Sequence, residues 1–370
     1  MSTYQYYEFQ ALDRPLTETE QQAVSRLSSR VNPHPTSAIF VYNYSDFPGS
    51  AEKVLAKYYD ALFFIANWGS VQIAFRFPKG LVDPQQFEPY CVPDCISYQV
   101  TGDHLVLNIE RHDEGGFDYW VEGEGTLSGL IPLREAILDG DLRLLYLAWL
   151  MATDVAWDLV EGNTEPPVPP GLKELNASLR NFIDLFEVDE HLVGAAAEAS
   201  LPLKVKPAVD LGQAIGNLER AEQAAWLLRL AQGERRLDLK FQRRLAEQAP
   251  RPVAPSSQPR RTVAQLQAAA ERVTQKTAER KRREAQAKRI RELEALAPQA
   301  EITWVRVEQL IERKNASAYR EAVEWLVKLK ELAEYQNAEL AFNQRLRAIR
   351  SKYARRPALM RRLNEAGLHG

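Results

Sequence analysis

The segment ISYQVTGDHLVLNIERH, residues 96–112, reads as two alternating strands joined by Gly102-Asp103. Turn residues between two apolar-alternating runs mark a β-hairpin, and a hairpin pairs its strands antiparallel. Strands and helices intermix around it, so the pattern favours α+β with a mixed or antiparallel sheet over a doubly wound parallel fold.

The neighbouring segments extend that sheet. VQIAFRF (71–77) alternates as a strand does, and YQYYEFQAL (4–12) and TSAIFVYNYSDF (36–47) are aromatic and β-branched. Between them, Thr17 and Glu20 have the spacing of a capping box at a helix start. AEKVLAKYYDALFFIANWG (51–69) shows apolar residues at helical spacing, predicting one helix stopped by Gly69. DYWVEGEGTLS (118–128) is expected as a further strand, followed by an apolar helix near 142–158. The nine-residue run Leu144–Ala152 falls far short of a membrane span.

Beyond residue 164 the strand signals end. EPPVPPG (165–171) is a stiff extended connector with Pro-x-x-Pro spacing. The stretch 172–248 reads as helical, with ERAEQAAWLLRLAQGE (219–234) its clearest amphipathic helix and Gly233 its stop. APRPVAPSSQPRRT (249–262), with four prolines, is the strongest linker. A charged helix is expected over 263–297 and a helical-hairpin array over 300–370, the latter about the length of one helical-repeat unit between Ala316 and Tyr353. The resulting division is an acidic α+β domain (1–164), a helical region (172–248), the linker, the basic helix and an all-α C-terminal domain.

Net charge is only -3, but it is unevenly placed: residues 1–200 hold 12 Lys+Arg against 30 Asp+Glu, leaving 35 against 20 in residues 201–370. Such asymmetry points to an acidic or nucleic-acid partner, or to attraction between the two halves. The cations concentrate in ERKRREAQAKRIRELEAL (279–296), almost without an apolar face. A helix polar all round is solvent-bridging or paired along its own surface, and Glu279–Arg283 and Glu284–Lys288 have the spacing for helical ion pairs. Arg280, Lys281, Arg282, Arg283, Lys288 and Arg289 are the candidate contacts here. Residues 251–297 hold no aromatic side chain, so phosphate contact would be backbone-directed and sequence-tolerant rather than built on base stacking. A second cluster, Arg355, Arg356, Arg361 and Arg362, surrounds an apolar stripe and suits docking of a partner helix as well as phosphate. Arg355 and Arg356 also lie where cations offset a helix dipole.

Signals for chemistry are sparse. Cys91, Cys95, His104 and His112 form a Cys2His2 set, but their gaps do not follow zinc-finger spacing. Glu110, His112, Asp113, Glu114 and Asp118, with Asp94, form an acidic cluster that a hydrolase or nuclease-like enzyme would use if the carboxylates converged. Neighbours on a strand point to alternate faces, which favours a hydrophilic turn. No phosphate-loop, dinucleotide or nucleophile-elbow motif is present. No cofactor is called for. Two cysteines and an N-terminus without a leader pattern fit a reducing cytoplasm.

With YREAVEWLVKLKELAEY (319–335), LRAIRSKYARRPALMRRLNEAGL (346–368), FIANWGS (64–70) and DLVEGNTEPPVPPGL (158–172) in view, the chain resembles a group of uncharacterised bacterial proteins. Its last 65 or so residues resemble the helical C-terminal region of bacterial SWIM zinc-finger proteins. The C-x-C and C-x-H pairs of the SWIM module are absent, so the resemblance implies a helical interaction module and no metal ligand. The combined expectation is a non-enzymatic cytoplasmic interaction or adaptor protein, possessing coiled-coil-like and repeat-like helices, whose basic part binds a protein partner or nucleic-acid backbone.

Overall fold

The computed structural model describes residues 3–28, 31, 33–113, 123–155, 163–203, 211–234, 236–246 and 260–369. The chain forms two compact units, Met1–Thr274 and Gln275–Gly370.

The first unit is built on six strands: β1 (Gln5–Gln10), β2 (Ser37–Tyr42), β3 (Ala61–Ala66), β4 (Ser70–Pro78), β5 (Ile96–Thr101) and β6 (His104–His112). Their order is β2-β1-β3-β4-β6-β5, and every neighbouring pair is antiparallel. The hairpin closes at Gly102-Asp103 as its sequence requires, with Thr101 opposite His104 and Gly102 at φ +59°. Helix α1 (Glu18–Ser25) begins at the Thr17–Glu20 capping box, with both reciprocal hydrogen bonds present.

The sheet is covered on both faces. Phe9, Phe40, Leu62 and Ala74 pack with Val24 of α1 and with Val54 and Leu55 of α2 (Ala51–Tyr58). On the other face, Phe63, Ile73, Phe75, Leu107 and Ile109 meet α3 (Thr126–Leu138), α4 (Arg143–Val155), α5 (Ala177–Leu185) and α6 (Glu190–Ala199). This two-sided burial corrects the expectation of one helix over 51–69. The helix ends at Tyr58, and ALFFIA becomes β3 between β1 and β4. A central strand buried on both sides is apolar at every position, so its period of two disappears. Gly69 is no helix stop. At φ +93° it completes the three-residue turn from β3 to β4.

The expected strand over 118–128 falls partly on residues outside those described, and from Thr126 the chain is helical. The apolar helix near 142–158 is described only to Val155. Residues 165–171 are non-helical, as their prolines dictate.

Three shorter helices, α7 (Leu211–Gly216), α8 (Arg220–Ala231) and α9 (Leu237–Ala246), enclose a small core of Ala214, Leu218, Leu245, Trp226 and Phe241. The amphipathic reading of 219–234 meets a different outcome: no residue of α8 is buried, and Leu227, Leu228 and Leu230 are exposed. Most of the linker, 249–259, lies outside the described residues. Its end is fixed. Thr164 bridges Thr262, and the Glu165 carboxylate accepts two 2.7 Å bonds from Arg261 as well as the hydroxyl of Tyr146. There α10 (Val263–Leu296) starts, capped by Thr262 and Gln265, with Val263, Leu266 and Ala270 in the first unit's core. The division between units thus falls at Thr274, inside this helix rather than in the proline-rich stretch.

The second unit contains the rest of α10 with α11 (Ala300–Glu312), α12 (Ala316–Tyr335), α13 (Glu339–Lys352) and α14 (Pro357–Glu365), around a core that includes Val307, Ile311, Ala322, Leu326, Leu346 and Leu363. Tyr319, Ala322, Leu326, Leu329 and Leu332 of α12, and Phe342, Leu346, Ile349 and Tyr353 along α13 and at its end, recur at helical spacing in the sequence and are buried, whereas Val305, expected to mark α11 with Leu310 and Ile311, is exposed. The fold is therefore α+β, an antiparallel sheet with helices followed by an all-α half, as the hairpin and the charged run indicate.

Candidate interaction surface

Four cations of the first unit, Arg76, Arg111, Arg134 and Arg143, are buried. Arg134 is fully buried and donates to both oxygens of Asp13, at 3.1 and 2.8 Å, and to the Arg76 carbonyl at 2.9 Å. Arg76 in turn holds Asp60 at 2.8 Å, while the other oxygen of Asp60 accepts from the Leu12 and Asp13 amides. Arg236, at the start of α9, adds a 2.6 Å bond to Asp13 and two to Glu135. Burial would raise the Asp13 pKa, but the hydrogen bonds and charges of Arg134 and Arg236 outweigh it and hold the carboxyl below its usual range. This set of buried charges is paired throughout, as burial demands.

The run on α10 is arranged differently. Residues 280–288 are exposed over two turns, with Arg280 and Arg283 71% and 83% accessible. Arg283 pairs with Glu279 at 3.8 Å as its spacing predicts. Glu284, expected opposite Lys288, instead faces Arg280 at 3.7 Å. Arg289 turns inward on Glu292 and Glu331. Lys281, Arg282 and Lys288 have no ion-pair or hydrogen-bond partner among the described residues. Lys281 and Lys288 are seven residues apart and therefore share one helix face.

In the second basic cluster two of the four cations pair within the fold. Arg356 donates to the Ile311 carbonyl and pairs with Glu312 at 2.8 Å, so it caps the C-terminal end of α11 rather than of its own helix. Arg361 faces Glu365 at 3.6 Å, and the Nε of Arg362 is buried without a hydrogen bond. Arg355 and Arg362 have no ion-pair or hydrogen-bond partner for their side chains among the described residues. Sequence reading overlooked Arg345 and Lys352, which pair with Glu301 and Glu308. The signal was available in the seven-residue step that the two acids and the two cations share.

Among the described residues the acidic cluster divides between two faces, with Asp94 near enough to Glu110 to act on its charge. Glu110 and His112 share one face of β6, while Arg111 between them turns to the other and holds Asp113 at 2.9 Å and Glu187 at 2.7 Å. The Ser70 hydroxyl lies 3.0 Å from His112 Nδ1, but Ser70 is buried. Burial raises the Glu110 pKa against the lowering effect of His112. Glu114 and Asp118 lie outside the described residues. His104 and His112 stand at opposite ends of β6, about 26 Å apart at strand rise. Cys95 is buried, which pushes its thiol up to about 11. Among the described residues no group of three or more His, Cys, Asp or Glu side chains is placed to hold a metal ion. Nor, among them, is any helix long and apolar enough to cross a membrane.

Comparison of the chain with protein-family models, with curated proteins and with solved structures finds no match.

Proposed function

We propose that the protein is a cytoplasmic, non-enzymatic interaction or adaptor protein whose α10 cations dock an anionic macromolecule. The observation that carries this reading is the concentration of Lys281, Arg282 and Lys288, three cations exposed and unpaired among the described residues within about two turns of one helix. An ammonium or guanidinium left in water is free to neutralise a carboxylate or phosphate at small desolvation cost.

An acidic protein surface is the favoured partner. Glu279, Glu284, Glu292 and Glu294 are interspersed with the cations, and such a mixed pattern can be matched by another protein, whereas it repels a phosphate backbone at every acid. The resemblance of the last 65 residues to a helical interaction module supports the same choice. Contact with a nucleic-acid backbone is the second reading, favoured by the excess of 12 Lys+Arg over 5 Asp+Glu in residues 251–297.

Anisotropy titration of the full chain against labelled polyglutamate and against a labelled DNA or RNA duplex, at low and high salt, tests the proposal. Salt-sensitive binding of polyglutamate supports the protein branch, and preference for the duplex supports the nucleic-acid branch. Absence of binding to either at low salt overturns both.

A further inference from the structure

Three ion pairs join α11 to α13 and the turn just beyond it: Glu301 with Arg345 at 2.5 Å, Glu308 with Lys352 at 2.6 Å, and Glu312 with Arg356 at 2.8 Å. In each pair the partners are 44 residues apart in sequence. A constant offset along two helices requires that they run in the same direction, with α12 returning the chain between them. The shared seven- and four-residue steps keep each set on one face. The second unit therefore presents a row of three carboxylates on one helix beside a row of three cations along its parallel neighbour.

Between the rows lies a groove of about 610 Å³ lined by Trp304, Val305, Ala348, Ile349 and Tyr353. Its acidic-side helix also exposes Ile302 and Val305, 72% and 57% accessible, one turn apart. An apolar stripe rimmed by charge at this level of exposure has the composition of an interface.

We infer that this face docks a second copy of the chain about a two-fold axis parallel to α11 and α13. The charge pattern selects both the partner and the axis. A two-fold axis along the helices places α11 of one copy over α13 of the other, so each carboxylate row meets a cation row twice over. An axis across the helices would set acid on acid and base on base. The parallel arrangement also brings Ile302 and Val305 of one copy against the small side chain of Ala348 in the other, giving a four-helix layer with an apolar centre. A polyanion laid on the same face would be repelled by the acidic row. The ladder within one copy does not use up the charges, because Glu301 and Arg345 remain 76% and 47% exposed. None of this depends on the role of α10.

Sedimentation equilibrium or light scattering on the full chain tests it. At low salt the wild type is expected at twice its 42.1 kDa mass, dissociating as salt rises. A variant with both rows basic (Glu301→Lys, Glu308→Lys) and one with both rows acidic (Arg345→Glu, Lys352→Glu) are each expected as monomers, and an equimolar mixture of the two should recover a one-to-one dimer. Val305→Asp, at an exposed position outside the ladder, should weaken association at least about tenfold with unchanged helix content by circular dichroism. A monomeric wild type at low salt, row variants that self-associate like the wild type, or a Val305→Asp protein that dimerises normally would each overturn the assignment.

Discussion

Arg134 and Arg282 are the same residue type in opposite surroundings. Arg134 is fully buried, and its guanidinium is enclosed by Asp13, Glu135 and a backbone carbonyl. Arg282 stands in water with no partner among the described residues. A desolvated cation has meaning only through its counter-charges, so losing one of those is severe. A solvated cation contributes almost nothing to folding and is available to something else. Charge counts along the sequence treat the two alike, and only their environment separates a structural clamp from a docking residue.

The largest effect should come from removing a counter-charge of the clamp. Asp13→Ala leaves Arg134 buried and short of its bidentate partner and is expected to lower stability by roughly 3–5 kcal/mol in urea unfolding. A loss below about 1 kcal/mol would show that the buried set is not the clamp its geometry describes.

Next in size is Glu165→Ala. It takes the acceptor from Arg261 and from Tyr146 at the point where α10 is fastened to the first unit, and should cost roughly 2–3 kcal/mol. Protection of the amides of Val263 and Leu266 from hydrogen exchange should fall in the same variant. Unchanged protection would mean that apolar packing alone holds the helix start. Thr262→Ala removes only the cap and should cost about 1 kcal/mol in the same unfolding measurement.

Acidity probes the clamp without mutation. The Asp13 pKa is lower in the folded state than in the unfolded chain, so its contribution is fully present above the unfolded value and is lost as pH falls through the folded one. Stability measured downward from about pH 4 should therefore decline more steeply in the wild type than in Asp13→Asn. Equal slopes would remove Asp13 from the account of acid sensitivity. Smallest of all, Arg283→Ala breaks only an exposed pair at 3.8 Å and should change stability by no more than about 0.5 kcal/mol.

How much the sequence disclosed depends on the range of the interactions. The hairpin at Gly102-Asp103, the capping box at Thr17 and the stripes of α12 and α13 depend on residues within a turn or two, and they were legible. β3 was misread because a strand enclosed by β1 and β4, with side chains packed on both faces, has no polar positions to reveal its period. The clamp was hidden for another reason. Arg134 and Arg236 reach Asp13 across 121 and 223 residues, and no local pattern encodes a contact of that range. Of the ten candidate contacts, sequence could find the cations and the local Glu279–Arg283 pair, but not counter-charges on other helices. It ranked Arg356 with Lys281, although one caps α11 and the other faces water.

The most direct test of that distinction is the triple variant Lys281→Gln, Arg282→Gln, Lys288→Gln, compared with the wild type for thermal stability and for binding of labelled polyglutamate and duplex between about 50 and 200 mM salt. The expected result is an unchanged melting temperature with loss of the salt-dependent binding. Wild-type binding in the triple variant, or a melting temperature lowered as far as in Asp13→Ala, would contradict the account.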